Sequence, residues 1–174
     1  MARPLEKAKK NLAASNLLSG LDKKEFTTLM TICRPLEVPA GKVIMKEGDT
    51  GDSMFLFAAG VVDVTKSLTL KTGKRDFSNV EKSFVKLQAG AVSFFGDMAL
   101  FENETRSATI TASEDCVLFE VKRKDFETLC ERDPSLGYKL VKKIAAVLCE
   151  RVRKGNQDIL KLSTALSIAL ARTS

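Results

Sequence analysis

Between Pro35 and Lys124 the chain is cut into short runs of Val, Ile, Phe and Thr, separated by turns built on Gly-Asp and Gly-Lys. The runs read LEVPAG, KVIMKEGD, SMFLFAAGVVDVTK, SFVKLQAG, SATITAS and CVLFEVKR. Residues of this kind fit a pleated, half-buried surface. Many short strands at this spacing predict an antiparallel sandwich or barrel. The segment LTLKTGKRDFSNVEK is predicted to form a hairpin around Thr72–Gly73, with an exposed, charged connection.

The flanks have a different texture. Residues 5–32 are rich in Ala, Leu and Lys and read as helical, with few breakers before Ser19–Gly20. Asp22 followed three residues later by Glu25 resembles a capping box, and Phe26, Leu29 and Met30 then fall on one face. Pro35 and Pro39 close this region. After Lys124 the stretch RKDFETLCERDP reads as a short amphipathic helix stopped before Pro134. A long helix follows from about Ser135. Its apolar positions alternate steps of four and three: Val141, Ala145, Leu148, Val152, Gly155, Ile159, Leu162, Leu166 and Ala169. Such a repeat is a coiled-coil seam, and the expected partner is a second copy of the chain. Gly155 on that seam either permits close helix approach or marks a kink. Three parts result: an N-terminal helical segment over 1–34, a β region over 35–124, and C-terminal helices over 125–174.

Composition narrows the chemistry. A length of 174 residues fits one domain, and 44% hydrophobic with 29% charged residues is ordinary for a soluble globular protein. No apolar run approaches a membrane span, and MARPLEKAKKNLAAS lacks the apolar core of a signal peptide. A cytoplasmic protein without membrane contact is expected. The chain contains no histidine, which excludes the commonest zinc and haem ligand sets and every His-dependent triad. No nucleophile–base pair or metal cluster is visible, so neither an enzyme nor a cofactor is expected. Cys33, Cys116, Cys130 and Cys149 are spread without a CxxC pair and read as reduced thiols. The net charge of +6 gathers near both ends, which serves solvated helix faces or nucleic-acid contact alike.

A single arginine, Arg106, sits in SFFGDMALFENETRSATI among small and apolar residues. It pairs either with a local acid such as Glu102 or Glu104, or with an anionic ligand. Around it Gly41, Gly48, Asp49, Gly51, Asp52 and Gly60 fall in a set order, followed by FFGDMAL and RSATI. The pieces GKVI, EGDTGDSMFLFAAGVV, FFGDMAL and RSATI, in this order and spacing, resemble the cyclic nucleotide-binding domain family. The resemblance covers about residues 15–160.

That resemblance implies a mainly β fold, a jelly-roll-like antiparallel β-roll with flanking helices, and a phosphate-binding cassette. The cassette maps onto Phe95, Gly96, Asp97, Met98, Ala99, Leu100, Arg106, Ser107 and Ala108. Gly96 and the start of a short helix would offer backbone N–H groups to a cyclic phosphate. Arg106 would supply a planar, permanently charged fork, and Ser107 a hydroxyl. Asp97 stands where the family has Glu, one methylene shorter. It would accept from a ribose 2′-OH, or alternatively cap backbone amides. The implied ligand is cAMP, with cGMP the alternative, and residues between Leu148 and Val152, of this chain or of a partner subunit, would cover the base. The implied role is a non-catalytic sensor acting through the C-terminal helix. The alternatives are a dimeric scaffold with a degenerate pocket and a transcription regulator. Specific DNA binding is not expected of the chain as given, since no helix-turn-helix follows the long helix.

Overall fold

A computed structural model of the chain describes residues 2–71 and 77–173. Eight strands form two four-stranded antiparallel sheets. They are β1 (Cys33–Val38), β2 (Val43–Met45), β3 (Ser53–Ala59), β4 (Val61–Lys71), β5 (Phe77–Gln88), β6 (Phe94–Phe95), β7 (Thr109–Ala112) and β8 (Cys116–Lys122). One sheet runs β1-β8-β3-β6 and the other β2-β7-β4-β5. Helices α1 (Ala2–Ala13) and α2 (Lys23–Met30) precede the roll, while α3 (Arg123–Arg132) and α4 (Pro134–Thr173) follow it. The fold is thus the predicted β-roll with flanking helices.

Strand β3 holds the two layers together. Every residue from Ser53 to Ala58 is buried. Met54, Leu56 and Ala58 pack toward the helices with Leu12, Leu29, Phe126 and Leu140. Phe55 and Phe57 point the other way, into the interior of the roll with Phe95, Val62, Ile110 and Leu118. Alternate residues of a strand face opposite sides, so this one segment serves two cores. Each fully buried Leu or Phe contributes roughly 1.5–3 kcal/mol of transfer free energy.

Three local differences from the expected pattern have physical causes. Within the helical region read over 5–32, α2 starts at Lys23 just after the expected cap, but α1 ends at Ala13, before the break expected at Ser19–Gly20. Successive three-residue turns (Ser15 N to Leu12 O, Leu18 N to Ser15 O, Leu21 N to Leu18 O) occupy the gap. They bury Leu17 and Leu18, so tertiary burial overrides the helical propensity of the stretch. The capping box at Asp22 and Glu25 forms as expected. Pro35 does not lie between elements but inside β1, which bonds only to β8. An edge strand tolerates a missing N–H. Finally, β4 and β5 pair from Val61↔Gln88 to Lys71↔Phe77. The predicted turn at Thr72–Gly73 lies outside the described residues.

Helices α3 and α4 cross closely where a Cβ on Gly137 would stand 2.9 Å from the Cys130 backbone. Helix α4 has 40 residues, about 60 Å at 1.5 Å per residue. Only its first turns, through Leu136, Leu140 and Ile144, are buried. From Cys149 onward every residue with a described side chain is exposed. The helix continues through Gly155, where an added Cβ would meet nothing within 4 Å. Among the described residues, all four cysteines are free thiols. No helix among them is long and apolar enough to cross a membrane.

Candidate functional site

A cavity of about 310 Å³ opens between the β2-β7-β4-β5 sheet, the turn after β6 and α4. Met45, Val64, Leu87 and Ile110 form its apolar floor, and Leu148 and Arg151 approach from α4. Of the nine cassette residues, Phe95, Gly96, Asp97, Met98, Ala99, Arg106 and Ser107 line it. Leu100 belongs to the helix-side core instead, and Ala108 is absent from the lining. The expected short helix is a single 3-10 turn, Asp97–Leu100. Gly96 enters that turn at φ 71°, a left-handed conformation that suits glycine.

Backbone pairing brings Arg106 to the cavity. Its N–H donates to Asp49 O at 2.8 Å, and its carbonyl accepts from Gly48 N at 3.0 Å. The side chain is 9% exposed. Nη1 donates to Gly96 O and Nη2 to Ser53 Oγ, each at 3.3 Å. Ser53 Oγ in turn donates to Glu120 Oε1 at 3.0 Å. The guanidinium stands over the Phe55 ring at 5.8 Å. Burial lowers the Arg106 pKa from its ordinary value, and the charges of Asp52 and Glu120 pull it back up. Guanidinium basicity is high enough that the group stays cationic. Among the described residues, neither Glu102 nor Glu104 forms an ion pair with it.

Gly51 makes room for this side chain. A Cβ there would stand 2.2 Å from Arg106 Nε, and one at Gly96 would stand 2.9 Å from Nη1. Two glycines, far apart in sequence, therefore border one guanidinium.

Asp97 is 3% exposed and faces α4. Its Oδ1 accepts from Arg151 Nη1 at 2.8 Å. Arg151 Nη2 donates to Phe94 O at 2.9 Å, and the guanidinium lies 4.9 Å from the centre of the Phe94 ring. The second oxygen, Oδ2, is buried and has no hydrogen-bond partner among the described residues. With Oδ1 on Arg151 and Oδ2 unpartnered among the described residues, Asp97 spends its carboxylate on α4 rather than on backbone amides. The expected cover spans Leu148 to Val152. Leu148 and Arg151 line the cavity, whereas Val152 is 61% exposed and does not. Gly51 belongs to the glycine order read from the sequence, whereas nothing in the sequence marks Ser53 and Glu120 as neighbours of Arg106. No local pattern could, because both lie in the β1-β8-β3-β6 sheet and meet Arg106 only in the folded chain.

Two antiparallel sheets rolled around a cavity that buries one arginine define a β-roll ligand-binding domain. The chain belongs to the cyclic nucleotide-binding domain family, whose sequence model matches residues 35–133. It is 33% identical over 148 residues to Glutaminase 1 of Bradyrhizobium diazoefficiens, a match spanning 85% of this chain and 22% of that protein. Its fold superposes on the catabolite activator protein of Thermus thermophilus with a TM-score of 0.70 and 29% identity, covering 86% of this chain and 63% of that one. A Toxoplasma gondii protein kinase A regulatory domain, crystallised with cAMP, gives a TM-score of 0.56 at 26% identity. That match covers 74% of this chain and 45% of that one. The chain therefore spans less than two thirds of each of these relatives.

Proposed function

We propose that the chain binds a cyclic nucleotide, cAMP in preference to cGMP, and acts as a non-catalytic regulatory module through α4. The observation that carries this reading is the pairing of a buried cation with a buried acceptor across one cavity. Arg106 spends one N–H of each Nη within the protein, so donors remain for a phosphodiester monoanion. Asp97 Oδ2, buried and without a partner among the described residues, matches a ribose 2′-OH in chemistry. Ser107, exposed at the rim, adds a hydroxyl for either base. The preference for cAMP draws on the cAMP-bound relative and on the apolar cover near Leu148. Calorimetric titration with cAMP and cGMP, on the wild-type chain and on Arg106→Ala, tests it. Binding by the wild type that survives the substitution would place the ligand elsewhere.

A homodimer through α4 belongs to the same proposal. Val152, Ile159, Leu162 and Leu166 repeat at heptad spacing and are each more than 60% exposed. Val141, at 40% exposure, extends the stripe toward the roll, and Leu148 joins it to the cavity. A second reading, a scaffold whose pocket is self-occupied, draws on Arg151 already holding one oxygen of Asp97. Failure of the wild type to bind either nucleotide would favour it.

A further inference from the structure

Arg123, the first residue of α3, touches two segments that border the cavity, and nothing in the cassette pattern points to it. Its backbone N–H donates to Asp52 O at 2.7 Å, in the turn whose carboxylate faces Arg106. Its guanidinium reaches the other rim. Nε donates to Ala99 O at 2.6 Å, Nη2 donates to Glu102 O, and Nη1 donates to Asn103 Oδ1. Those three acceptors are the exit of the 3-10 turn that begins at Asp97. One side chain thus gathers the end of the 3-10 turn and the residues that follow it.

The fork is well matched to this task. A guanidinium donates in several fixed directions at once, whereas an ammonium acts as a compact point charge. Phe126, one turn along α3, meets Phe101 edge to face at 6.5 Å, so apolar packing reinforces the same junction. Helix α3 then passes to α4 through Asp133, whose Oδ1 accepts from Leu136 N at 3.0 Å. Helix α3 therefore connects the rims of the cavity to the helix that carries Arg151.

We propose that Arg123 is a positioning residue for the pocket: its guanidinium and its N–H together set the spacing between the Asp52 turn and the exit of the 3-10 turn. Through that spacing it sets how Arg106 and Asp97 face one ligand. It touches neither the cavity nor a ligand there. The proposal rests on the reading of this cavity as the nucleotide site only for its effect on binding. The clamp itself is a property of the ligand-free chain.

The test uses the full chain with Arg123→Lys, which keeps the charge and loses the fork, and Arg123→Gln, which loses both. Hydrogen exchange is read at the Phe101 and Glu102 amides, both bonded to Met98 O, with β3 as the internal reference for global unfolding. In both variants those two amides are expected to exchange faster while β3 stays at the wild-type rate. Titration with cAMP is expected to weaken by about ten-fold, a usual size for coupling between sites. A purely structural role would speed exchange in β3 along with the two amides, which would overturn the proposal. So would wild-type exchange at Phe101 and Glu102 in both variants. If the wild-type chain binds no cAMP, the nucleotide reading fails, and the exchange data alone then decide the clamp.

Discussion

Arg151 Nη1 donates to Asp97 Oδ1 at 2.8 Å across 54 residues of sequence, joining the exposed C-terminal helix to the 3-10 turn that lines the cavity. The carboxylate side is almost wholly buried and the arginine side 41% exposed. Burying a carboxylate costs free energy unless it is paired, and Arg151 supplies the pairing. Any ligand that bonds Asp97 must therefore share it with α4. That arrangement gives the helix a direct stake in the occupancy of the cavity.

Arg151→Ala should destabilise the chain by about 1–3 kcal/mol, because it leaves both oxygens of a buried Asp97 without a partner. Asp97→Ala alone should cost a similar amount, and the double variant less than the sum. Urea denaturation of the three variants forms the cycle. Strict additivity would show that the pair contributes nothing to folding.

Removing the Arg106 fork should weaken cAMP binding by roughly 30-fold to over 1,000-fold, the range for deleting one member of a buried charge pair at about 2–5 kcal/mol. Arg106→Lys should also bind poorly, since an ammonium cannot reproduce the donors directed at Gly96 O and Ser53 Oγ. Calorimetry reads both. A lysine variant with wild-type affinity would show that charge alone holds the ligand.

Gly51→Ala should displace the Arg106 side chain, because the new methyl would sit 2.2 Å from Nε. Overpacking of this kind costs about 1–3 kcal/mol, and part of it should appear as lost cAMP affinity. Gly41→Ala is the contrast. Its Cβ meets nothing within 4 Å, so it should cost stability through its φ of +81° and leave affinity near the wild-type value. Parallel melting and titration of the two variants separate strain from displacement.

Leu162→Glu should abolish the proposed dimer while leaving the roll folded, since Leu162 is 71% exposed and far along α4 from the core. Leu148 is the poorer choice because it packs against the helix-side core and lines the cavity. Sedimentation of wild type and Leu162→Glu reads the outcome. An unchanged mass distribution would remove the heptad seam as the interface.

Burial pushes the Cys33 thiol up to about 12 from its ordinary value of 9.0. Above pH 9 the unfolded chain has lost this proton while the folded chain keeps it, so the folded state binds more protons. Stability should therefore fall as the pH rises from about 9 toward 12, and Cys33→Ala should flatten that slope. Denaturant midpoints across this range test the sign. Cys149, exposed on α4, should be alkylated well before Cys33 at pH 8.

Much of this protein was legible locally. Short Val, Ile and Phe runs between Gly turns specify strands wherever they sit, because period-two alternation and turn chemistry act within a few residues. The Asp22–Glu25 box is legible for the same reason, being a bond between neighbours. So is the apolar repeat of α4. The cassette residues from Phe95 to Ala99, with Arg106 and Ser107, could be named from their order, and they meet at one cavity.

Tertiary structure decided what those residues face. Ser53 reaches Arg106 across 53 residues, Arg123 reaches Ala99 across 24, and Arg151 reaches Asp97 across 54. None of these pairs has a period or a motif, because each is set by which strands and helices become neighbours. The break between α1 and α2 belongs to the same class, since the burial of Leu17 and Leu18 exists only once the roll is present to cover them. Local chemistry determined the elements and the cation; the packing of distant segments determined its neighbours and tied Asp97 to the helix.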